Sequence, residues 1–494
     1  MQHISHWIGG RVVKGTSGRR GPVFNPATAE RTGEVDLASA AEADAAVESA
    51  AGVAREWADS TLSARSEILF RFHHLVKTRR DEIARLVTAE HGKVLSDAAG
   101  EVARGLENVE FACGIPHLLK GGFSEQVSRG VDVHSIEQPL GVVAGITPFN
   151  FPAMVPMWMF ANAIACGNCF ILKPSEKDPS PSLLFAEMWR DAGLPDGVFT
   201  VLQGDGEAVG ALLEHPAVQA ISFVGSTPVA RHIYETGTRH GKRVQALAGA
   251  KNHMVVLPDA DLGVAADAAV SAGYGSAGER CMAVSVVVAV GSIADPLVEA
   301  IAERIPAIRV GPGDEAGSEM GPLVTAEHRA RVASYLEGTA LGGARLVVDG
   351  RRGVRDGGFF LNPSLVDFVQ PGSPVYDDEI FGPVLCVVRV PTYAEAIELV
   401  NANPWGNGVA LFTRDGGAAR RFEHEVQAGM VGINVPIPVP VGYYSFGGWK
   451  TSLFGDTHMY GPDGVRFYTR GKVVTSRWPD PSTSRVDLGF PRTR

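Results

Sequence analysis

Residues 141–173 read GVVAGITPFNFPAMVPMWMFANAIACGNCFILK. Gly141-Val142-Val143-Ala144-Gly145-Ile146 is a short apolar run, a strand candidate. A helical pattern follows at 155–165, then a second short run, Cys169-Phe170-Ile171-Leu172. Strand, helix and strand at this spacing form a parallel βαβ unit. The stretch from Phe151 to Leu172 is also long and apolar enough to raise a membrane span. Pro152, Pro156, Asn162, Gly167 and Asn168 interrupt it and Lys173 ends it, so a buried helix feeding a buried strand is the better reading.

The same alternation continues on both sides. Strand candidates at 198–202 and 220–224 alternate with helical patterns at 180–192 and 206–214. The pattern then restarts. Strands are expected at 255–257, 284–290, 384–390 and 410–412, with helices near 261–277, 295–305, 325–341 and 393–402. Upstream, 38–59, 62–90 and 93–118 read as helices. The expected architecture is two tandem Rossmann-like α/β domains meeting near residue 250. The first takes 1–122 and 139–247, the second 248–445. Residues 123–138, with Val131, Val133 and Ser135 in alternation, predict an exposed hairpin, and 464–475 predict a similar ribbon. Such ribbons need a partner. Residues 446–494 carry the second ribbon and a tail that is rich in Pro, Ser and Arg from Trp478 onward.

The chain has 494 residues, 45% hydrophobic and 20% charged, which suits two to three globular domains. A net charge of -10 argues against a general nucleic-acid binder. Five cysteines form an odd set without a disulfide pattern, and Met1 to Gly10 shows no basic region followed by an apolar core. The expectation is a reducing, cytoplasmic setting.

Cys281 stands in Gly278-Glu279-Arg280-Cys281-Met282-Ala283, ahead of the apolar run from Val284 to Val290. A thiol is a useful nucleophile only as thiolate, and a neighbouring cation lowers its pKa. Arg280 is a permanent cation beside it. A buried, inert cysteine opening a strand reads the same way locally. Thr147-Pro148-Phe149-Asn150-Phe151-Pro152 follows the first strand, where the Asn150 amide is placed to donate to an oxyanion; a proline-rich turn is the plain alternative. Lys173-Pro174-Ser175-Glu176 follows the second strand. A lysine and an acid there can hold the adenosine ribose hydroxyls, and the acid repels a 2′-phosphate, which favours NAD over NADP. The alternative is a solvated loop. Gly225-Ser226-Thr227 opens a helix and offers a phosphate seat, although Ala230 stands where a third glycine would complete the dinucleotide fingerprint. Glu379-Ile380-Phe381-Gly382-Pro383 reads as a loop presenting one carboxylate to a sugar hydroxyl. Cys166-Gly167-Asn168-Cys169 has no second pair or nearby histidine, so core packing is expected there and no metal.

In this order and at these spacings, the motifs resemble the aldehyde dehydrogenase superfamily, from Trp7-Ile8-Gly9-Gly10 to Phe446-Gly447-Gly448-Trp449-Lys450. The resemblance implies Cys281 as nucleophile and Asn150, with the Cys281 backbone N–H, as oxyanion donors. It implies a cofactor site of Thr147, Phe149, Lys173, Glu176, Lys177, Gly225, Ser226, Glu379 and Phe381. It also implies a homo-oligomer, dimer or tetramer, paired through the ribbons.

One departure matters. Most members carry Glu-Leu-Gly-Gly-Lys where this chain has Leu247-Ala248-Gly249-Ala250-Lys251, and the missing Glu is the base that activates the deacylating water. With Gly278-Glu279-Arg280-Cys281-Met282-Ala283, this is similar to the CoA-acylating branch that acts on malonate and methylmalonate semialdehydes. A CoA thiol is a better nucleophile than water and needs no hydrolytic base. The resemblance then implies small-molecule semialdehyde and coenzyme A as substrates, with Arg104 and Arg280 for the substrate carboxylate. The products suit valine, inositol or thymine breakdown. Two alternatives remain: a hydrolysing semialdehyde dehydrogenase releasing a free acid, and a catalytically silent binding relative. Retention of Cys281, Asn150, Lys173 and Glu379 speaks against the second.

Overall fold

A computed structural model describes residues 2–337, 339, 343–483, 486, 488 and 489. The quoted stretch forms the strand Val142–Ile146, the helix Met154–Ala165 and the strand Cys169–Lys173. Every residue of the helix and of both strands is buried, which is why their apolar runs lack alternation. No helix among the described residues is long and apolar enough to cross a membrane.

These strands sit at the centre of an eight-stranded sheet. Its order is Leu453–Phe454, Arg243–Leu247, Val218–Val224, Val142–Ile146, Cys169–Lys173, Phe199–Val201, His6–Ile8 and Arg11–Val13. The five from Arg243–Leu247 to Phe199–Val201 run parallel. The chain works outward from Val142–Ile146 in one direction, then returns to its other side with Val218–Val224. The crevice at the carboxyl ends of those two strands is a topological switch point, where ligands of open α/β sheets bind. Aromatic packing closes one face of this sheet: Phe72 stacks on Trp189 at 3.6 Å between centroids, and Phe160 meets Phe170 and Phe199 edge-on.

A second sheet has its own core, including Val286, Val287, Val288, Leu385 and Leu411. Its order is Arg345–Val348, Ser364–Asp367, Val384–Val390, Val284–Val290, Asn252–Val256, Gly408–Phe412 and Met430–Ile433. All pairs are parallel except the first. Only four residues separate the last of the five parallel strands of the first sheet, ending at Leu247, from Asn252 in the second. The architecture is thus the tandem α/β arrangement expected. Phe446, Met459, Tyr460 and Phe467 pack into the first core, so the segment from 446 to 468 contributes more than a ribbon and tail.

Several elements differ from expectation. The helix at 62–90 is two, Leu62–Thr78 and Arg80–His91. Thr78 turns its hydroxyl back onto the carbonyls of His74 and Leu75 at 2.9 and 3.1 Å, and such back-bonding loosens a helix. The helix at 325–341 stops at Ser334; residues 338, 340 and 341 of that expectation lie outside the described residues. Residues 123–138 form the hairpin Phe123–Ser128 and Val131–Pro139. Residues 464–475 do not form a second ribbon. Pro462 helps start a helix, Gly461–Phe467, and a single strand, Thr469–Arg477, follows and pairs along its length with Val131–Pro139. The two segments expected as separate ribbons are therefore partners of each other within the chain. The resulting three-stranded sheet still leaves Phe123 and Val473 exposed.

Candidate active site

Cys281 is presented by a contorted turn. The helix Leu262–Tyr274 ends at Gly275, and Ser276, Ala277 and Gly278 then take positive φ angles of 53, 52 and 74°. For Ser276 and Ala277 this conformation costs about 1 kcal/mol each, so surrounding contacts must impose it. One such contact is backbone to backbone: a Cβ on Gly278 would stand 2.2 Å from the Gly382 carbonyl oxygen. Two asparagines then pin the nucleophile. Asn252 Nδ2 donates to the Cys281 and Ala283 carbonyls at 2.9 and 3.0 Å, and Asn407 Nδ2 donates to the Cys281 carbonyl at 3.1 Å. Both belong to the second sheet or its immediate lead-in.

The expected low thiol pKa is not found. Burial, then the nearby Glu379, pushes the Cys281 thiol up to about 12; the backbone N–H groups of Cys281 and Met282 and, least, Arg280 work the other way. Arg280 is engaged elsewhere, donating from Nη2 to Asp97 Oδ1 at 2.6 Å. An ion pair cancels much of the field that a lone guanidinium would exert.

Asn150 lies in the turn after Val142–Ile146 and is buried. Its carbonyl accepts from Lys93 Nζ at 2.6 Å, and the same ammonium pairs with Glu101 at 2.7 Å. Upstream in the turn, the Thr147 N–H donates to the Lys173 carbonyl at 3.1 Å.

A cleft of about 700 Å³ opens between the two sheets. It brings together Phe149, Asn150, Lys177, Gly225, Ser226, Cys281, Glu379 and Phe381. Phe381 holds a positive φ of 57° and meets Phe149 edge-on at 5.9 Å, while Lys177 Nζ stands 4.5 Å from the Phe149 ring. Ser226 starts the helix Thr227–Arg239 without capping it with its own side chain, and Pro228 has no N–H, so the hydroxyl and the remaining first amides are not spent on a side-chain cap. Glu379 accepts from the Ala250 N–H at 2.8 Å, and burial pushes its carboxyl up to about 7. A side chain on Gly249 would come within 2.4 Å of Glu379 Oε2, so the glycine keeps this wall open.

Five expected residues lie elsewhere than the cleft wall, among them Arg280, held by Asp97. Lys173 and Glu176 pair at 3.5 Å at the end of their strand, and burial pulls the Lys173 ammonium down. Thr147 is buried, with no hydrogen bond to its hydroxyl. Arg104 donates to Glu107 at 2.6 Å and to the Val439 and Pro440 carbonyls at 3.2 and 2.8 Å. Tyr460 donates its hydroxyl to the Pro440 carbonyl at 3.0 Å, the same carbonyl that accepts from Arg104.

Sequence reasoning missed Lys93, Glu101, Asn252, Asn407, His328, Arg331 and Trp405. The last three line the cleft. Asn252 gave the one available signal, a polar side chain within a buried strand. The Cys166 and Cys169 side chains are buried, and all five cysteines are free. No metal-binding group occurs among the described residues.

The aldehyde dehydrogenase family pattern matches residues 12–474. A malonate-semialdehyde dehydrogenase of Pseudomonas aeruginosa is 54% identical, across 99% of this chain and 100% of the relative. A crystal structure of a methylmalonate-semialdehyde dehydrogenase from Oceanimonas doudoroffii is 52% identical, with a TM-score of 0.96, covering 98% of this chain and 99% of that one. A candidate methylmalonate-semialdehyde dehydrogenase from Sinorhizobium meliloti, solved with NAD, is 51% identical with the same TM-score and the same coverage. By this match over most of its length and this identity to its relatives, the chain belongs to the aldehyde dehydrogenase family.

Proposed function

We propose that the protein is an NAD-dependent, CoA-acylating dehydrogenase of malonate or methylmalonate semialdehyde. The observation that carries the acylating part is Leu247. It lies buried at the end of Arg243–Leu247, where most of the family has a hydrolytic glutamate, and it cannot accept a proton. The relatives bearing semialdehyde names support the substrate.

The cleft suits a dinucleotide. The uncapped helix start at Ser226 offers amides and a hydroxyl to a diphosphate, Glu379 offers a carboxylate to a ribose, and Gly249 leaves the space that a side chain would fill. Glu176 beside Lys173 suits an unphosphorylated ribose. When bound, NAD supplies the hydride acceptor.

Cys281 Sγ, once deprotonated, attacks the aldehyde carbon. The Asn150 amide and the Cys281 N–H receive the oxyanion. Loss of hydride from that carbon leaves an acyl thioester on Sγ. The β-carboxylate then leaves as CO2, its bonding electrons forming the thioester enolate, which takes up a proton. Arg280 and Arg104 are the guanidinium groups offered to the substrate carboxylate, each giving up part of its pairing with Asp97 or Glu107 to bind it. The CoA thiolate attacks the acyl carbon and Cys281 departs as thiolate, giving acetyl-CoA or propionyl-CoA. Five free cysteines suit a reducing cytoplasm. The exposed three-stranded sheet with Phe123 and Val473 suits a homo-oligomer.

The test is NADH formation from malonate semialdehyde with and without CoA, followed by mass analysis of the product. Turnover requiring CoA, acetyl-CoA as product and loss of all NADH formation in Cys281→Ala are expected. Steady CoA-independent release of free acid would promote the hydrolytic alternative.

A further inference from the structure

We propose that Lys93 and Glu101 are positioning residues for Asn150, their ion pair clamping the turn 150–154 from both ends. This rests on the reading of Asn150 as oxyanion donor.

The clamp has two grips. Lys93 Nζ donates to the Asn150 carbonyl at 2.6 Å. Glu101 Oε1 accepts from the Ala153 and Met154 N–H groups at 2.7 and 3.1 Å, capping the twelve-residue helix Met154–Ala165, whose own first residue offers no side-chain cap. Lys93 and Glu101 join the grips at 2.7 Å, and both side chains are fully buried. The Lys93 ammonium also stands 4.2 Å from the ring of Phe151. In such a dry setting each charge-assisted bond is strongly directional.

The backbone around the lysine is itself packed on the segment that holds Gly313 and Gly321. Leu95 N–H donates to the Gly313 carbonyl at 3.0 Å. Side chains on Gly313 and Gly321 would stand 2.3 Å from the Lys93 carbonyl oxygen and 2.1 Å from that of Gly92. The clamp therefore refers the amide donor to a segment that follows the nucleophile in sequence. A displacement of about 1 Å at such a donor costs about 100-fold in rate.

The experiment is a double-mutant cycle on the single-turnover NADH burst with saturating malonate semialdehyde and no CoA. Lys93→Met/Glu101→Gln removes both charges together, so no unpaired charge stays buried. Lys93→Arg keeps the charge but changes the reach. NAD dissociation constants and melting curves accompany each. Expected is a burst at least about 10-fold slower in both variants with NAD affinity kept, and under about 2-fold further loss in an Asn150→Ala background. Equal fractional losses with and without Asn150 would overturn the proposal, as would an unchanged burst. Absence of a cooperative melt in both variants would also overturn it, because the pair would then hold the fold and not the turn. If Asn150→Ala alone leaves the burst unchanged, the oxyanion reading fails instead.

Discussion

Arg280, the residue directly before the nucleophile, donates from Nη2 to Oδ1 of Asp97 at 2.6 Å. Asp97 lies in the first turn of Leu95–Cys113, so a helix of the first unit holds a cation from the second. Asp97 is thereby a brake on the positive field at the thiol. Asp97→Asn should raise the alkylation rate of Cys281 at pH 8 by about threefold, the worth of one partly screened charge. Mass-resolved iodoacetamide labelling reads this; an equal or lower rate would count against the brake.

The thiol pKa of about 12 sets the pH course of that labelling. Below its pKa, the thiolate fraction of a thiol rises about tenfold per pH unit. Glu379, with a carboxyl at about 7, gains its negative charge near neutrality and opposes thiolate formation. The cofactor-free protein should show a shallower rise around pH 7 and a full tenfold rise from pH 8 to 9, with no plateau. Glu379→Gln should restore the full slope at pH 7. A plateau near pH 7 would mean that the thiol is already activated.

Gly278 carries the nucleophile turn past the Gly382 carbonyl. Gly278→Ala should lower stability by about 2–4 kcal/mol and slow the burst by about 100-fold, because the added methyl meets backbone that cannot swing aside. Denaturant melts and stopped-flow NADH absorbance would report both. A variant with normal stability and burst would show that the turn has slack.

Glu176 pairs with Lys173 at 3.5 Å at the strand end. If this acid excludes a 2′-phosphate, Glu176→Gln should cut the ratio of kcat/KM for NAD over NADP by about tenfold. An unchanged ratio would move the discrimination to another residue.

The legible parts of the fold were the strands buried on both faces, since Val142–Ile146, Cys169–Lys173 and Val284–Val290 have no polar side to disguise them. Arg243–Leu247 escaped notice because Arg243 and Gln245 break its apolar run. Gln245 is buried and accepts from the Ser222 hydroxyl at 2.8 Å, a cross-strand pair that no single strand reveals. The site divides in the same way. Asn150 follows the strand Val142–Ile146, whereas Cys281 and Glu379 stand ahead of Val284–Val290 and Val384–Val390, each in an ordered motif. Lys93 precedes its contact Asn150 by 57 positions, and a lysine near a helix start looks like a solvated charge until the fold removes the solvent. Arg280 was legible as a cation but not as a neutralised one, because Asp97 lies 183 positions away.

The amide donor and the thiol donor hang from different sheets, each with its own hydrophobic core. Met282, packed into the first core, the Arg280–Asp97 pair, and the Asn252 and Asn407 bonds on the second join them around Cys281. Warming should therefore loosen this seam before it melts either sheet. Reversible heat inactivation, setting in some degrees below the loss of far-ultraviolet circular dichroism, is the behaviour such a hinge between two intact halves imposes.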